Sequence, residues 1–237
     1  MKIVIVIPFY NEVNRIDVES YHKIFAKFST YHFLLVNDGS SDTTLQFLER
    51  FKEKFSNVNV LNFTVNVGKA AAIRNGVLSI SEADFICYYD ADLATPMTEL
   101  EKLIQFSITN STYKFVMGAR IKLIGNGVKR SLKRHYFGRI FATIVSQFIL
   151  KVPIYDTQCG AKVIQYQIAK QIFDAPFISK WLFDVEVLKR LQQFYDLKEV
   201  VKEIPLENWE EIGNSKIKFG DFLRIPFQLL QIYSKYE

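Results

Sequence analysis

Residues 84–93 read DFICYYDADL. The apolar run Phe85–Tyr89 suits a strand covered on both faces, the kind found in parallel sheets. It stops abruptly at Asp90-Ala91-Asp92. Alternation along an extended chain sends both carboxylates the same way, and two carboxylates at one strand end repel unless a cation lies between them. A hard divalent ion, Mg2+ or Mn2+, takes oxygen ligands and commonly bridges to phosphates. A chance pair of surface acids at a strand end is also common, so the surroundings of the motif decide its weight.

Working outward, Lys2–Ile7, Tyr31–Val36, Val58–Phe63 and Lys114–Gly118 read as further strands, the first ended by Pro8. Helices are predicted over Asp17–Ser29, Thr43–Phe55, Gly68–Leu78 and Pro96–Thr109. Such a strand–helix series predicts an α/β fold with a mostly parallel sheet flanked by helices, its ligands beyond the carboxyl ends of the strands. The polar clusters fall there: NE after the first strand, NDGSSD after the second, NVGK after the third and DAD after the fourth. Asp38 in the second cluster fits turn and helix-cap chemistry, and a carboxylate there also suits the imide N–H of a uracil. Gly68-Lys69 fits close backbone approach with a charge near phosphate, or an exposed lysine after a capping glycine. GSSDTT lacks the GK[ST] ending of a P-loop. Arg120, after the fifth strand, suits charge on a departing diphosphate.

The second half is less regular. A basic stretch runs from Arg120 to Arg134, and an apolar helix over Phe137–Val152 is either buried on most faces or laid against a membrane. After DTQCGAK come a helix over Phe177–Tyr195, a strand near Lys198–Ile204 and an amphipathic tail, Phe219–Tyr236, interrupted at Pro226. We divide the chain into a domain over 1–212 and a C-terminal helical extension over 213–237.

The 237 residues carry a net charge of +5, and 23% are charged, which excludes disorder and gives no case for nucleic acid. From Lys102 to Tyr155 there is no Asp or Glu but ten Lys or Arg, a field that favours anions. Fifteen percent of residues are aromatic, among them 21 Phe, which points to an apolar partner. Cys87 and Cys159 make neither a disulfide framework nor a four-thiolate zinc site. With no signal peptide or spanning segment in view, a cytoplasmic protein is expected, peripheral on the inner face of the plasma membrane. Asp156 ends the acid-free stretch and reads equally as a base or as an anchor for basic neighbours.

VIPFYNE, VNDGSSD, NVGKAAAIRNG, YYDADL and MGAR resemble inverting family 2 glycosyltransferases of the GT-A fold. DTQCGAKVI, KWLFDVEVL and EIPLENWEEIGNSKI resemble dolichyl-phosphate glucose synthases and bacterial polyprenyl-phosphate relatives. The resemblance implies a GT-A, Rossmann-like sheet, a nucleotide-sugar donor, a lipid-phosphate acceptor and a Mg2+ or Mn2+ cofactor held by Asp90 and Asp92. It implies that Pro8, Tyr10, Glu12 and Asp38 line the nucleoside pocket, with Gly68 and Lys69 near base and diphosphate. Arg120 would contact the diphosphate, Arg130 and Arg134 the acceptor phosphate, and Asp156 matches an acid proposed as catalytic in relatives. Asp92, Asp156, Arg120, Arg130 and Arg134 are thus the catalytic candidates. The alternative is a saccharide hydroxyl acceptor with Asp184 or Glu186 as base, or GDP-mannose as donor; a non-enzymatic binding module is the third reading.

Overall fold

The computed structural model describes residues 1–129, 131–212 and 219–237, with the side chains of 132–135, 137 and 219–223 outside the description. In chain order the elements are β1 (Ile3–Phe9), α1 (Val18–Lys27), β2 (His32–Asp38), α2 (Thr44–Lys54), β3 (Val58–Phe63), α3 (Lys69–Ser79), β4 (Phe85–Tyr89), α4 (Met97–Thr109), β5 (Phe115–Ala119) and β6 (Gly127–Lys129). There follow α5 (Leu132–Ile144), a π-helical turn (Val145–Leu150), β7 (Ala161–Gln165), α6 (Tyr166–Ile172), α7 (Phe183–Gln192), α8 (Leu197–Val200), β8 (Val201–Pro205), β9 (Asn208–Glu210) and α9 (Phe219–Lys235). Among the described residues seven strands follow the order β3-β2-β1-β4-β7-β5-β8 in a mostly parallel sheet flanked by helices. β6 and β9 make a separate parallel pair.

The chain divides into two compact units, Met1–Leu93 with Val163–Pro176, and Ala94–Lys162 with Phe177–Glu237. In the first, β1 pairs in parallel with β2 and β4, and β2 with β3. β1 is buried along nearly its whole length, as its β-branched run requires of a central parallel strand. It continues through Pro8, contrary to the expected stop. Its register with β4 already ends at Val6↔Tyr88, so a residue without an N–H is tolerated where only β2 remains as partner. Asp17 caps α1, its carboxylate accepting the Ser20 N–H at 3.1 Å. α1 and α2 bury Tyr21, Phe25 and Phe51 in one ring cluster, with Tyr21 centroids 5.5 Å from Phe25 and 5.7 Å from Phe51.

In the second unit β5 pairs in parallel with β8, Met117 opposite Glu203. The expected apolar helix is α5 plus the π-helical turn, which ends at Lys151 in the left-handed region (φ 56°). The predicted helix over Phe177–Tyr195 starts only at Phe183. Ser179 Oγ accepts the N–H groups of Trp181 (3.2 Å) and Leu182 (2.9 Å), holding the preceding segment irregular. Pro226 lies inside α9 and does not end it, again a correction. Among the described residues no helix is long and apolar enough to cross a membrane.

Candidate active site

Two groups of side chains stand where the sequence placed its candidates, one in each unit. In the first unit the loops after β1, β2, β3 and β4 are laced together. Thr44 Oγ1 accepts the Glu12 N–H at 2.9 Å, and Asn11 Oδ1 accepts the Ser41 N–H at 2.8 Å, joining the NE and SSD clusters. Asp38 is 2% exposed, and its carboxylate receives the N–H groups of Val67 (2.7 Å) and Gly68 (2.9 Å) and the Asn66 amide (2.9 Å). Its first task is therefore to hold the 66–68 loop at the start of α3. Gly39 next to it has φ +62°, and a Cβ there would lie 2.3 Å from the Val65 carbonyl carbon, so the two loops meet only through glycine.

That loop delivers Lys69, whose Nζ lies 2.5 Å from Asp90 Oδ1. Arg15 reaches Asp92 at 3.4 Å and Glu12 at 3.4 Å. The DAD segment lies in a turn beyond β4 rather than on the strand itself. Ala91 between its acids is buried, while the side chains of Asp90 and Asp92 are 36% and 26% exposed. Tyr21, which the sequence reading did not single out, fixes this turn by donating its hydroxyl to the Ala91 carbonyl at 2.7 Å. Burial, with Tyr89 and the acids Asp92, Glu12 and Asp90 nearby, raises its phenol well above the usual range, so it stays a donor. Pro8 is part-buried in β1 and the Tyr10 ring is 40% exposed. Among the described residues no three His, Cys, Asp or Glu side chains gather as a metal site. The two hard carboxylates of Asp90 and Asp92 suit a divalent ion whose remaining ligands are phosphate and water oxygens.

In the second unit Arg120 follows β5. Its Nε and Nη2 donate to Asp156 Oδ2 (2.6 Å) and Oδ1 (2.8 Å), a two-pronged fork. Its backbone N–H reaches the same carboxylate at 3.0 Å. The Trp209 ring covers the guanidinium at 5.3 Å. Of the two readings of Asp156, this geometry is that of the anchor. Both residues line a cavity of about 170 Å³ with Arg139, Phe141, Ser146 and Tyr155. Arg130 lies outside the described residues, as does the side chain of Arg134, whose backbone is in α5.

Asp184 and Glu186, the alternative bases, are buried and paired. Lys162 donates to Asp184 Oδ1 at 2.8 Å and to the Cys159 carbonyl. Glu186 accepts from Arg190 (2.7 Å), Tyr236 (2.8 Å) and the Ile178 N–H (2.7 Å). Cys159 is buried with its thiol pushed up to about 11, chiefly by burial, so it is no nucleophile at neutral pH.

Comparison with known proteins adds to this geometry. The sequence model of Glycosyl transferase family 2 matches residues 4–173. A dolichyl-phosphate beta-glucosyltransferase of Trichomonas vaginalis is 33% identical over 240 residues, covering 96% of this chain and 69% of that protein. The dolichyl-phosphate beta-glucosyltransferases of Saccharomyces cerevisiae and Homo sapiens are each 31% identical, covering 98% of this chain and 74% and 75% of theirs. Among solved structures, glucosyl-3-phosphoglycerate synthase of Mycobacterium tuberculosis in complex with Mn2+ and UDP-glucose aligns with a TM-score of 0.73 at 14% identity, over 98% of this chain and 79% of that one. At that identity the likeness is one of fold.

Proposed function

The chain belongs to glycosyl transferase family 2 and is a glycosyltransferase, and on that premise we propose that it moves glucose, with inversion, from a UDP-sugar to a dolichyl or other polyprenyl phosphate. Its relatives are named for glucosyl transfer to dolichyl phosphate, and a structural neighbour holds Mn2+ with UDP-glucose. The observation that carries the choice of acceptor is the state of the acids. Asp156, Asp184 and Glu186 are each committed to a basic partner. A saccharide hydroxyl needs a positioned base, worth about 10²–10⁴-fold in rate. A phosphate monoester is already ionised and needs none. Its oxygen forms a bond to the anomeric carbon as the bond to the diphosphate oxygen breaks, and the nucleoside diphosphate leaves with the electron pair.

In this reading Asp38 and the exposed Tyr10 face the nucleoside, with Pro8 and Glu12 shaping the same loops. Gly68 and Lys69 serve the diphosphate. Asp90 and Asp92 would hold Mg2+ or Mn2+, which when bound supplies charge neutralisation to the leaving diphosphate. Arg120, held by Asp156, meets the diphosphate, and Arg130 and Arg134 the acceptor phosphate. Contact with a membrane surface is supported by Tyr136, Ile140, Ile144 and Phe148, all exposed at four-residue spacing along α5 and the π-helical turn. The exposed cations Lys122, Lys129, Arg139 and Lys151 belong to the same acid-free stretch.

Radiolabelled UDP-glucose with polyprenyl phosphate and Mg2+ is expected to yield an organic-extractable product. Transfer to a soluble saccharide, with none to lipid, overturns the proposal. A second expectation concerns the DAD turn. Tyr21→Phe removes the bond to Ala91 at a cost of about 1 kcal/mol and weakens Mn2+-dependent UDP binding, read by thermal melting and calorimetric titration.

A further inference from the structure

β8 carries a half-buried acid, Glu203, that the scheme above leaves unused. Glu203 accepts the Tyr155 N–H on Oε2 and the Asp156 N–H on Oε1, both at 2.7 Å. One carboxylate thus grips two successive backbone amides, and the second belongs to the residue whose own carboxylate forks onto Arg120. The order of contacts is Glu203 to the 155–156 backbone, Asp156 to Arg120, and Trp209 over the guanidinium face. Each contact restricts the next. β5 and β8 are in register with Met117 opposite Glu203, so the strand that presents Arg120 also has Glu203 as a neighbour. The charged groups acting on Glu203 are Asp156 and Lys162, of opposite sign. Burial raises its carboxyl, while the two backbone N–H bonds work the other way.

We propose that Glu203 is a positioning residue for sugar transfer: by gripping the 155–156 backbone it fixes Asp156, and through Asp156 it holds the Arg120 guanidinium in one orientation toward phosphate. The proposal rests on the reading of Arg120 as the diphosphate contact. A guanidinium that is free to turn still attracts a phosphate, but it no longer meets the departing oxygen in the aligned geometry on which rate depends. The loss should therefore fall on kcat rather than on KM.

Glu203→Gln keeps the shape but turns one acceptor into an amide that faces an N–H. It is expected to lower kcat for transfer from UDP-glucose to polyprenyl phosphate by about 10²-fold, the scale of a small misplacement, with the KM for UDP-glucose little changed. Glu203→Asp, which restores the charge on a shorter arm, should recover part of that loss. In an Arg120→Gln background the same Glu203→Gln change should cost almost nothing, because a residue acting through another cannot be lost twice. An equal loss in both backgrounds, or full activity in Glu203→Gln alone, overturns the proposal. Amide exchange at 155–156, followed by mass spectrometry, gives a readout that needs no turnover. It should quicken in Glu203→Gln, and unchanged exchange overturns the proposal. Should the unaltered protein transfer no sugar to lipid, the proposed function fails. Amide exchange at 155–156 then decides Glu203: quicker exchange in Glu203→Gln supports its grip on that backbone, and unchanged exchange ends the role.

Discussion

Asp92→Ala is expected to lower transfer by at least about 10²–10³-fold, the scale of losing one preorganised electrostatic contact to the leaving group, while leaving the fold almost as stable as before. The two halves of this expectation come from the same contacts. Asp92 is 26% exposed, and Arg15, which pairs with it, sits at 3.4 Å with 25% of its side chain exposed. A pair so wet contributes little to stability, about 0–1 kcal/mol. Function is another matter, because in the proposed site the DAD turn supplies the two carboxylates that would hold a divalent ion. Calorimetry should show Mn2+-dependent UDP binding abolished in the variant and a melting temperature within a few degrees of the parent. Undiminished Mn2+-dependent binding would remove Asp92 from the site.

Arg120→Ala should behave in the opposite way on stability. Its side chain is 15% exposed and that of Asp156 only 6%. Truncating one partner leaves a buried carboxylate without its cation, and such changes cost about 3–5 kcal/mol. At about 2–4 °C per kcal/mol for a chain of this size, melting should fall by roughly 6–20 °C. Transfer, assayed below the new midpoint, should drop by about 10²–10³-fold. Arg120→Lys separates the two effects. It restores a charge beside Asp156 but not the planar fork, so stability should return in part while transfer stays low. Near-normal transfer in either variant, measured on folded protein, would contradict the role assigned to Arg120.

The first unit was legible because its signals are local. Buried β-branched runs announce parallel strands, and each is followed at once by the polar residues its loop needs. Asp38, Gly68, Lys69, Asp90 and Asp92 were named on that basis, and Lys69 with Asp90, and Asp38 with Gly68, are brought into contact. The second unit resisted because its determinants act over long separations. Glu203 sits 47 positions from the Asp156 amide it accepts, and nothing in KEIP marks a strand acid as a brace. Trp209 belongs to the family-like stretch EIPLENWEEIGNSKI, yet its task, covering Arg120, depends on a partner far away in sequence. Tyr21 reads as one more apolar position of α1; only the fold directs its hydroxyl to Ala91, 70 positions on. The acids of FDVE show the same dependence on distant partners. The resemblance offers them as an alternative base, and the structure adds what the sequence does not show, that Lys162 and Arg190 pair with them.

The short parallel pair β6–β9 has a consequence for how the polypeptide is made. Lys129 and Glu210, aligned in that pair, are 81 positions apart. On the ribosome, Gly127–Lys129 emerges long before Asn208–Glu210 exists, so the loop that carries β6 lacks its strand partner until β9 has followed. Nascent chains stalled before Trp209 should leave this loop accessible to protease, and those stalled after it should close it.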